Sequence, residues 1–537
     1  MIQNYKLFTR KIVILFLIFL LGFMLRLVFA PIENIDADSF ELLTAAKTIN
    51  DTGRYMVPSI GTPDLKIKYH FAGWPVGFPL MLCLIFKLIG YSEFAARLFV
   101  ILLGSLTIIC TIMIADLLFG EKVSYLAGLL TAMNPLLVAF NGRIFTNTPS
   151  LFFFMCSITC LMLSTIKKSD DLQFVNLRIV LSSRGRIINF LLSLFFFGIL
   201  LTIRDTEVIF SPIYIYILYK SEFFYFKHYN YDIKPILFLL SGVLVLLIGY
   251  APSMYFNYQN YGKIITSTTY QWGGRLDFKY LFFGYSSTLP LPGILVILIT
   301  VLVYCFPAFL LFFIKKCSDK DILLIIIFFL ILIPIMIING AYRVTSTGAS
   351  PRYIIALIPF ACIFSANRLI YLYKYKMLLW TFSIVILSWL FLLSYPLPVL
   401  FKITPKFAYL AHYSPLYQRY PYKNYPTHTN AVSNWIKNNT AENSVVIAPS
   451  SNPYHFFYYA KRQVITYPNL NSNVLRDLSF SRSIYLVEDH EATYNPEKVK
   501  SVKNIINASG LSYIIVGEIE LFSPKVGITK MNIYKVF

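Results

Sequence analysis

The run Trp74-Pro75-Val76-Gly77-Phe78-Pro79-Leu80-Met81-Leu82-Cys83-Leu84-Ile85-Phe86-Lys87-Leu88-Ile89 decides how the rest of the chain is read. If it crosses a bilayer, every later loop changes side. If it dips into the outer leaflet and returns, the basic loops all fall on one side. Those loops carry Lys122; Lys167, Lys168, Arg178, Arg184 and Arg186; Lys220, Lys227 and Lys234; Lys315, Lys316 and Lys320; Lys374 and Lys376. Cytoplasmic loops collect Lys and Arg, so the dip is preferred. Pro75, Gly77 and Pro79 suit a broken, re-entrant helix better than a clean span.

Around this run lie apolar stretches long enough to cross about 30 Å of hydrocarbon, which takes roughly 20 residues. They fall near 12–30, 95–118, 123–141, 148–166, 187–203, 205–219, 235–253, 289–314, 321–338, 353–371 and 377–396. The expected fold is therefore a polytopic α-helical membrane protein of about 11 spans plus a re-entrant segment, with a cytoplasmic N-terminus. The first span follows Lys6, Arg10 and Lys11 and is not followed by a small-residue cleavage site, so it reads as an anchor rather than a cleaved signal. Residues 1–399 form the membrane domain, with 31–93 as its first outer loop, and residues 400–537 form a small extracytoplasmic α/β domain. In that tail, helix-like stretches near 430–439 and 496–508 alternate with strand-like runs Ser444–Ala448, Gln463–Tyr467, Ile484–Val487 and Tyr513–Val516.

Composition agrees. Of 537 residues, 57% are hydrophobic and only 14% charged, about half the charged share of a soluble globular chain. The mean hydropathy is +0.64. A soluble enzyme, a disordered scaffold and a fibrous protein are excluded. The net charge of +21 suits basic loops lying against anionic lipid, and no nucleic-acid partner is expected. All seven cysteines precede residue 400, so the tail is free of disulfides. Cys156 and Cys160 share a helix face without His or further Cys nearby and read as buried filler; no metal site is expected there.

Polar residues with chemistry gather on the outer side, in 31–93, around 142–147, in 254–288 and in 339–352. The first loop opens Ile35-Asp36-Ala37-Asp38-Ser39-Phe40-Glu41. Asp38 or Ser39 is a natural cap for a helix over Phe40–Ile49, which accounts for one of the two aspartates and not both. A carboxylate here is placed to take a proton from an acceptor hydroxyl or amine, a role worth about 10²–10⁴ in rate. The Asp-x-Asp spacing also has the form that holds a divalent cation against phosphate. His70, between Tyr69 and Trp74, reads either as a phosphate or sugar contact or as part of an interfacial aromatic belt. Arg143, Arg204, Arg343 and Arg352 lie on the side where basic residues are scarce. Arginines bordering apolar helices need an anion, and a lipid phosphate supplies one; an ion pair of Arg204 with Asp205, or snorkelling to headgroups, is the plainer account.

Taken in order, these features resemble the GT-C superfamily of polyprenyl-phosphate-sugar-dependent glycosyltransferases, which includes protein O-mannosyltransferases and the aminoarabinose transferases of lipid A. The resemblance covers roughly residues 10–375. It rests on Asp36 followed by Phe40 and Thr44-Ala45-Ala46, on Tyr69-His70 before Trp74-Pro75-Val76-Gly77-Phe78-Pro79, and on Gly90-Tyr91-Ser92-Glu93 leading to Arg97. Leu118-Phe119-Gly120, Asn134-Pro135, Tyr258-Gln259-Asn260-Tyr261-Gly262 and Arg352-Tyr353 continue it. Many relatives carry an acid two residues before the Pro that opens span four, where this chain has Asn147 before Pro149. The base role then rests on Asp36, with Asp38 second, and Asn147 becomes a candidate for the acceptor side or the second loop.

The resemblance implies an inverting transferase that moves a sugar from a polyprenyl-phosphate carrier to a glycan, lipid or protein on the outer face of the membrane. Asp36 would be the base, and Arg352, with Arg204, His70 or Arg143, would hold the donor phosphate. No cofactor is required, although a divalent cation fits the Asp pair. A polysaccharide polymerase or ligase would use the same carriers. A secondary transporter would place ionisable groups near mid-membrane and show internal repeats, and neither is seen here.

Overall fold

The computed structural model describes residues 2–30, 37–59, 68–71, 74–165, 183–220, 235–264, 316–341, 351–373, 428–448, 459–488, 496–523 and 527–537, with scattered residues in 298–308, 375–383 and 456–457. Most of the expected spans near 289–314 and 377–396, together with Asp36, Arg343 and the His70 side chain, lie outside this set. The chain divides into two compact units: Met1–Ala30 with Gly73–Leu397 and Tyr413–Pro415, and Pro31–Ala72 with Pro398–His412 and Leu416–Phe537. By packing, the first outer loop up to Ala72 therefore joins the tail, whereas the sequence boundary at residue 400 groups it with the membrane helices.

The first unit is helical. It contains α1 (Ile2–Phe29), α3 (Gly77–Ile89), α4 (Glu93–Phe119), α5 (Glu121–Met133), α6 (Pro135–Phe140), α7 (Asn147–Thr165), α8 (Ser183–Ile203), α9 (Ser211–Lys220), α10 (Pro235–Tyr261), α11 (Asp319–Ala341) and α12 (Ile358–Leu372); α2 (Ala37–Thr52) belongs to the second. Among the described residues six helices are long and apolar enough to cross a membrane: Arg10–Phe29, Glu93–Phe119, Asn147–Thr165, Gly185–Ile203, Leu240–Tyr261 and Ile354–Leu372. The chain is a polytopic membrane protein. Helix α4 packs against α1, α5 and α7, α8 lies between α7 and α10, and α12 packs on α5.

The deciding run forms α3, which at 13 residues is about 20 Å long and too short for the hydrocarbon layer. Its start packs backbone to backbone on the end of α8. A Cβ on Gly77 would lie 2.6 Å from the Thr202 carbonyl carbon, so the glycine is a steric requirement. Ser92 caps α4, its hydroxyl accepting from the Ala95 amide at 3.2 Å. Gly120, at φ +86°, separates α4 from α5 in a conformation that side chains disfavour.

Two expected spans are interrupted. The stretch 123–141 breaks at Asn134-Pro135, where the Asn134 side chain accepts from the amides of Leu136 and Leu137 at 3.1 and 3.2 Å and starts α6. Pro135 has no N–H for the Thr131 carbonyl, and the Leu136 amide has turned to Asn134, leaving the Ala132 carbonyl over. The fully buried Arg26 of α1 supplies both: its guanidinium donates to Ala132 O at 3.2 Å and Thr131 O at 3.4 Å, and also to Gly22 O at 2.9 Å. The stretch 205–219 divides into a 3-10 turn, Asp205–Phe210, and the ten-residue α9.

The second unit holds α2, a hairpin of β1 (Met56–Ser59) with β2 (Lys68–Phe71), and the tail. Helix α2 starts at Ala37, so Asp38 and Ser39 lie inside its first turn and are not its cap. The tail comprises α13 (His428–Asn439), β3 (Val445–Ala448), β4 (Gln463–Thr466), α14 (Ser472–Ser479), β5 (Ile484–Val487), α15 (Pro496–Ala508), β6 (Tyr513–Ser523) and β7 (Gly527–Val536). They form a five-stranded sheet in the order β4-β3-β5-β7-β6, parallel among β3, β4 and β5 and antiparallel beyond. Successive strand residues face opposite sides. Val446, Ala448 and Val487 pack under α13 with Phe456 and Ala460, while Val445, Ile447 and Leu486 pack under α14 and α15. Strands covered on both faces read as unbroken apolar runs, as Val-Val-Ile-Ala and Ile-Tyr-Leu-Val do here.

Candidate functional site

The chemistry-bearing arginines of the first unit converge on the turn between α6 and α7. This turn is built by its own polar side chains. The amides of Asn141 and Arg143 donate to Leu137 O and Phe140 O, closing α6, and the Phe145 amide returns to Arg143 O at 2.9 Å. The Thr148 hydroxyl then donates to Asn141 Oδ1 at 3.1 Å, fastening the start of α7 to the end of α6. Asn141, Arg143, Thr146, Asn147, Thr148 and Ser150 are all buried. A turn this polar and this enclosed is unusual in a membrane protein and marks a site.

Arg143 is 2% exposed, with its guanidinium carbon 5.5 Å from the centre of the Phe140 ring. Arg352 lies on a 3-10 turn, Pro351–Leu357, that leads into α12, and its guanidinium stands 5.7 Å over the Phe145 ring. The Asn147 side-chain amide donates to the Arg352 carbonyl at 3.3 Å. One turn further along α7, the Ser150 hydroxyl donates to Glu207 Oε1 at 3.2 Å, and Glu207 pairs with Arg204 at 3.3 Å. The sequence offered Asp205 as the carboxylate neighbour of Arg204; Arg204, at the start of its 3-10 turn, pairs with Glu207, three residues on. Arg204, Arg352 and Asn147 are thus tied to the N-terminal end of α7, whose dipole adds positive potential, and Arg143 lies in the turn just before it.

An apolar groove of about 90 Å³ runs between α11 and α12, where Leu324, Ile325 and Phe328 face Phe360, Ala361 and Phe364. Phe360 lies eight residues past Arg352, roughly 12–15 Å along a 3-10 turn and helix.

The structure assigns Asp38 and the His70 backbone to the second unit, while Asp36 and the His70 side chain lie outside the described residues. Asp38 is half-buried in the first turn of α2, in the second unit, and the His70 backbone pairs with Val57 in the hairpin. Among the described residues no three of His, Cys, Asp and Glu gather as a metal ion requires; Asp36 lies outside that set. Two participants escaped the sequence reading, Glu207 and Ser150. The i, i+3 spacing of Arg204 and Glu207 was the available signal for the first.

The family model described as dolichyl-phosphate-mannose-protein mannosyltransferase matches residues 74–256, from the deciding run into α10. The fold is that of ArnT from Cupriavidus metallidurans, at 12% identity, with 97% of each chain covered and a TM-score of 0.61 in the apo state. Its structure bound to undecaprenyl phosphate matches at 12% identity, 98% of each chain and a TM-score of 0.58. The Archaeoglobus fulgidus oligosaccharyltransferase, tethered to an acceptor peptide containing an NVT sequon, matches at 12% identity over 97% of this chain and 74% of its own, with a TM-score of 0.52. Among curated proteins none matches the sequence. The GT-C resemblance carried by the motifs is borne out.

Proposed function

We propose that this protein is an inverting membrane glycosyltransferase that moves a sugar from a polyprenyl phosphate to an acceptor on the outer face of the membrane. The observation that carries the reading is the arginine cluster at the start of α7, together with an apolar groove along α12, the helix into which the turn bearing Arg352 leads. The fold it shares with an ArnT structure holding undecaprenyl phosphate, and the mannosyltransferase family match over the same helices, support it. In this reading the prenyl chain lies in the groove, and Arg352 and Arg143, with Arg204, receive the phosphate.

Asp36, with Asp38 behind it, accepts the proton of an acceptor hydroxyl or amine. The acceptor oxygen or nitrogen then bonds to the anomeric carbon as the bond from that carbon to the phosphate oxygen breaks. The configuration inverts in this single displacement, and the proton rests on the carboxylate. The leaving phosphate gains a charge, and guanidinium groups already in place stabilise that charge more in the transition state than in the bound donor. The leaving group is activated by matching its charge, so no nucleotide pocket is needed. The acceptor class, glycan, lipid or protein, is set outside these residues. The positive loops support a cytoplasmic N-terminus and an outer tail.

The experiment is Asp36→Asn in purified protein supplied with undecaprenyl-phosphate-linked sugars and cell-envelope extract as acceptor source. Transfer should fall by about 10²–10⁴, the worth of a general base, while undecaprenyl phosphate still binds. A variant that transfers at the wild-type rate would remove Asp36 from the role.

A further inference from the structure

We infer that the tail holds the carboxylate-bearing start of α2 in position through Tyr459, so that Tyr459 is a positioning residue for the acceptor side of the site; this rests on the reading of Asp36 and Asp38 given above. Phe40, two residues after Asp38 and about one helical turn after Asp36, has no exposed surface and meets Tyr459 edge to face, with ring centres 5.3 Å apart and planes at 90°. Aromatic rings in this arrangement fix each other in direction as well as in distance.

Tyr459 is a firm support because the corner carrying it is anchored twice. Its neighbours Phe456 and Ala460 are buried in the core between the sheet and α13. Two residues after it, Lys461 takes φ +52°, a left-handed conformation that a side chain disfavours and that persists only where its surroundings impose it. Arg462 imposes it. Its buried guanidinium donates to Ala460 O at 3.0 Å, to Lys437 O at 3.1 Å and Thr440 O at 2.6 Å at the end of α13, and to the Thr440 hydroxyl at 3.0 Å. Those carbonyls are the orphans of a helix C-terminus, and an arginine there satisfies them and favours the dipole. The corner is therefore built as part of the tail's own core, and Phe40 rests on it. The tail then acts in transfer by orienting a helix of the first outer loop, without itself touching the reacting atoms.

The test uses the full chain in detergent, with Tyr459→Ala, Tyr459→Phe and, should the alanine variant fold poorly, Tyr459→Leu. Amide hydrogen exchange in α2 over Phe40–Ile49 should quicken at least ~10-fold in the alanine and leucine variants and stay at the wild-type rate in Tyr459→Phe, which keeps the ring. With undecaprenyl-phosphate-linked sugars as donors, kcat should fall about 10- to 100-fold in the alanine variant, as misplacement of a reacting group does. KM for the donor should stay unchanged, and Tyr459→Phe should restore kcat. Unchanged exchange in α2 overturns the coupling whatever the activity. Faster exchange with kcat intact overturns the claim that the coupling serves transfer, and Asp36→Asn in the same assay shows whether the base reading has failed with it.

Discussion

The Asn147 side-chain amide donates to the backbone carbonyl of Arg352 across 3.3 Å, so the entry of α7 and the entry of α12 are held as one piece. Arg352, proposed to receive the donor phosphate, is thereby placed by a residue 205 positions away in sequence. Asn147→Ala removes one hydrogen bond, worth about 1 kcal/mol, and affinity for undecaprenyl phosphate should weaken about 5-fold by native mass spectrometry. Asn147→Asp should weaken it further, since a carboxylate would face both a carbonyl oxygen and the lipid phosphate. Equal or tighter binding by the Asp variant would contradict this placement of Arg352.

Arg26 and Pro135 form a second testable pair. Arg26→Met strands the carbonyls of Thr131 and Ala132 and should cost about 2–3 kcal/mol, seen as a lower melting temperature in detergent. Pro135→Ala returns an N–H able to reach Thr131 O, so the double variant should lose less than the sum of the two single losses. Strict additivity would show that Arg26 does not serve the helix break.

Glu207 offers its carboxylate to both Ser150 and Arg204. Glu207→Gln keeps an acceptor for Ser150 but removes the counter-charge of a largely buried guanidinium, and should cost about 3 kcal/mol. Glu207→Ala also strands the Ser150 hydroxyl and should cost about 1 kcal/mol more. A Gln variant as stable as the wild type in thermal melts would show that the ion pair contributes nothing.

In the tail, Lys503 donates to Glu488 Oε1 at 2.8 Å and to the Tyr534 hydroxyl oxygen at 2.9 Å, and that hydroxyl donates to Glu488 at 2.7 Å. Burial alone would lower the Lys503 pKa, but the bonds to Glu488 and Tyr534 outweigh it and hold the ammonium above the ordinary lysine value. Burial, with the bond to Glu488, raises Tyr534 against the opposing lysine. Both groups keep their protons longer when folded, so their stabilisation is present below about pH 10 and fades as the pH climbs through the raised folded values. Lys503→Met should flatten the fall of the tail's melting temperature between pH 9 and 11. Parallel curves for variant and wild type would contradict the linkage.

Local patterns made much of this legible. Val445–Ala448 and Ile484–Val487 announce themselves because central parallel strands are apolar on both faces, and α13 and α15 because their apolar residues recur at helical spacing. Strand β7 was missed because Lys530, Asn532 and Lys535 dilute its alternation, and α14 because it has only eight residues. The arginines stood out because they fall in the segments between the basic loops, where Lys and Arg are otherwise sparse. Their partners did not, since the Asn147–Arg352 bond and the Phe40–Tyr459 contact join positions that no periodicity relates. Asp38 looked like a helix cap because the sequence start of α2 was placed three residues late, at Phe40 instead of Ala37. Helix ends are set by backbone bonds that composition only suggests.

The central claim is that the arginine cluster and its groove hold a polyprenyl phosphate. The most direct measurement is to purify wild type and Arg352→Ala in mild detergent and identify the co-purifying lipids by mass spectrometry. The account predicts a polyprenyl phosphate or its sugar adduct with the wild type, and its loss from the variant at unchanged monodispersity. Bulk phospholipid alone in both, or the same polyprenyl phosphate in both, would contradict it.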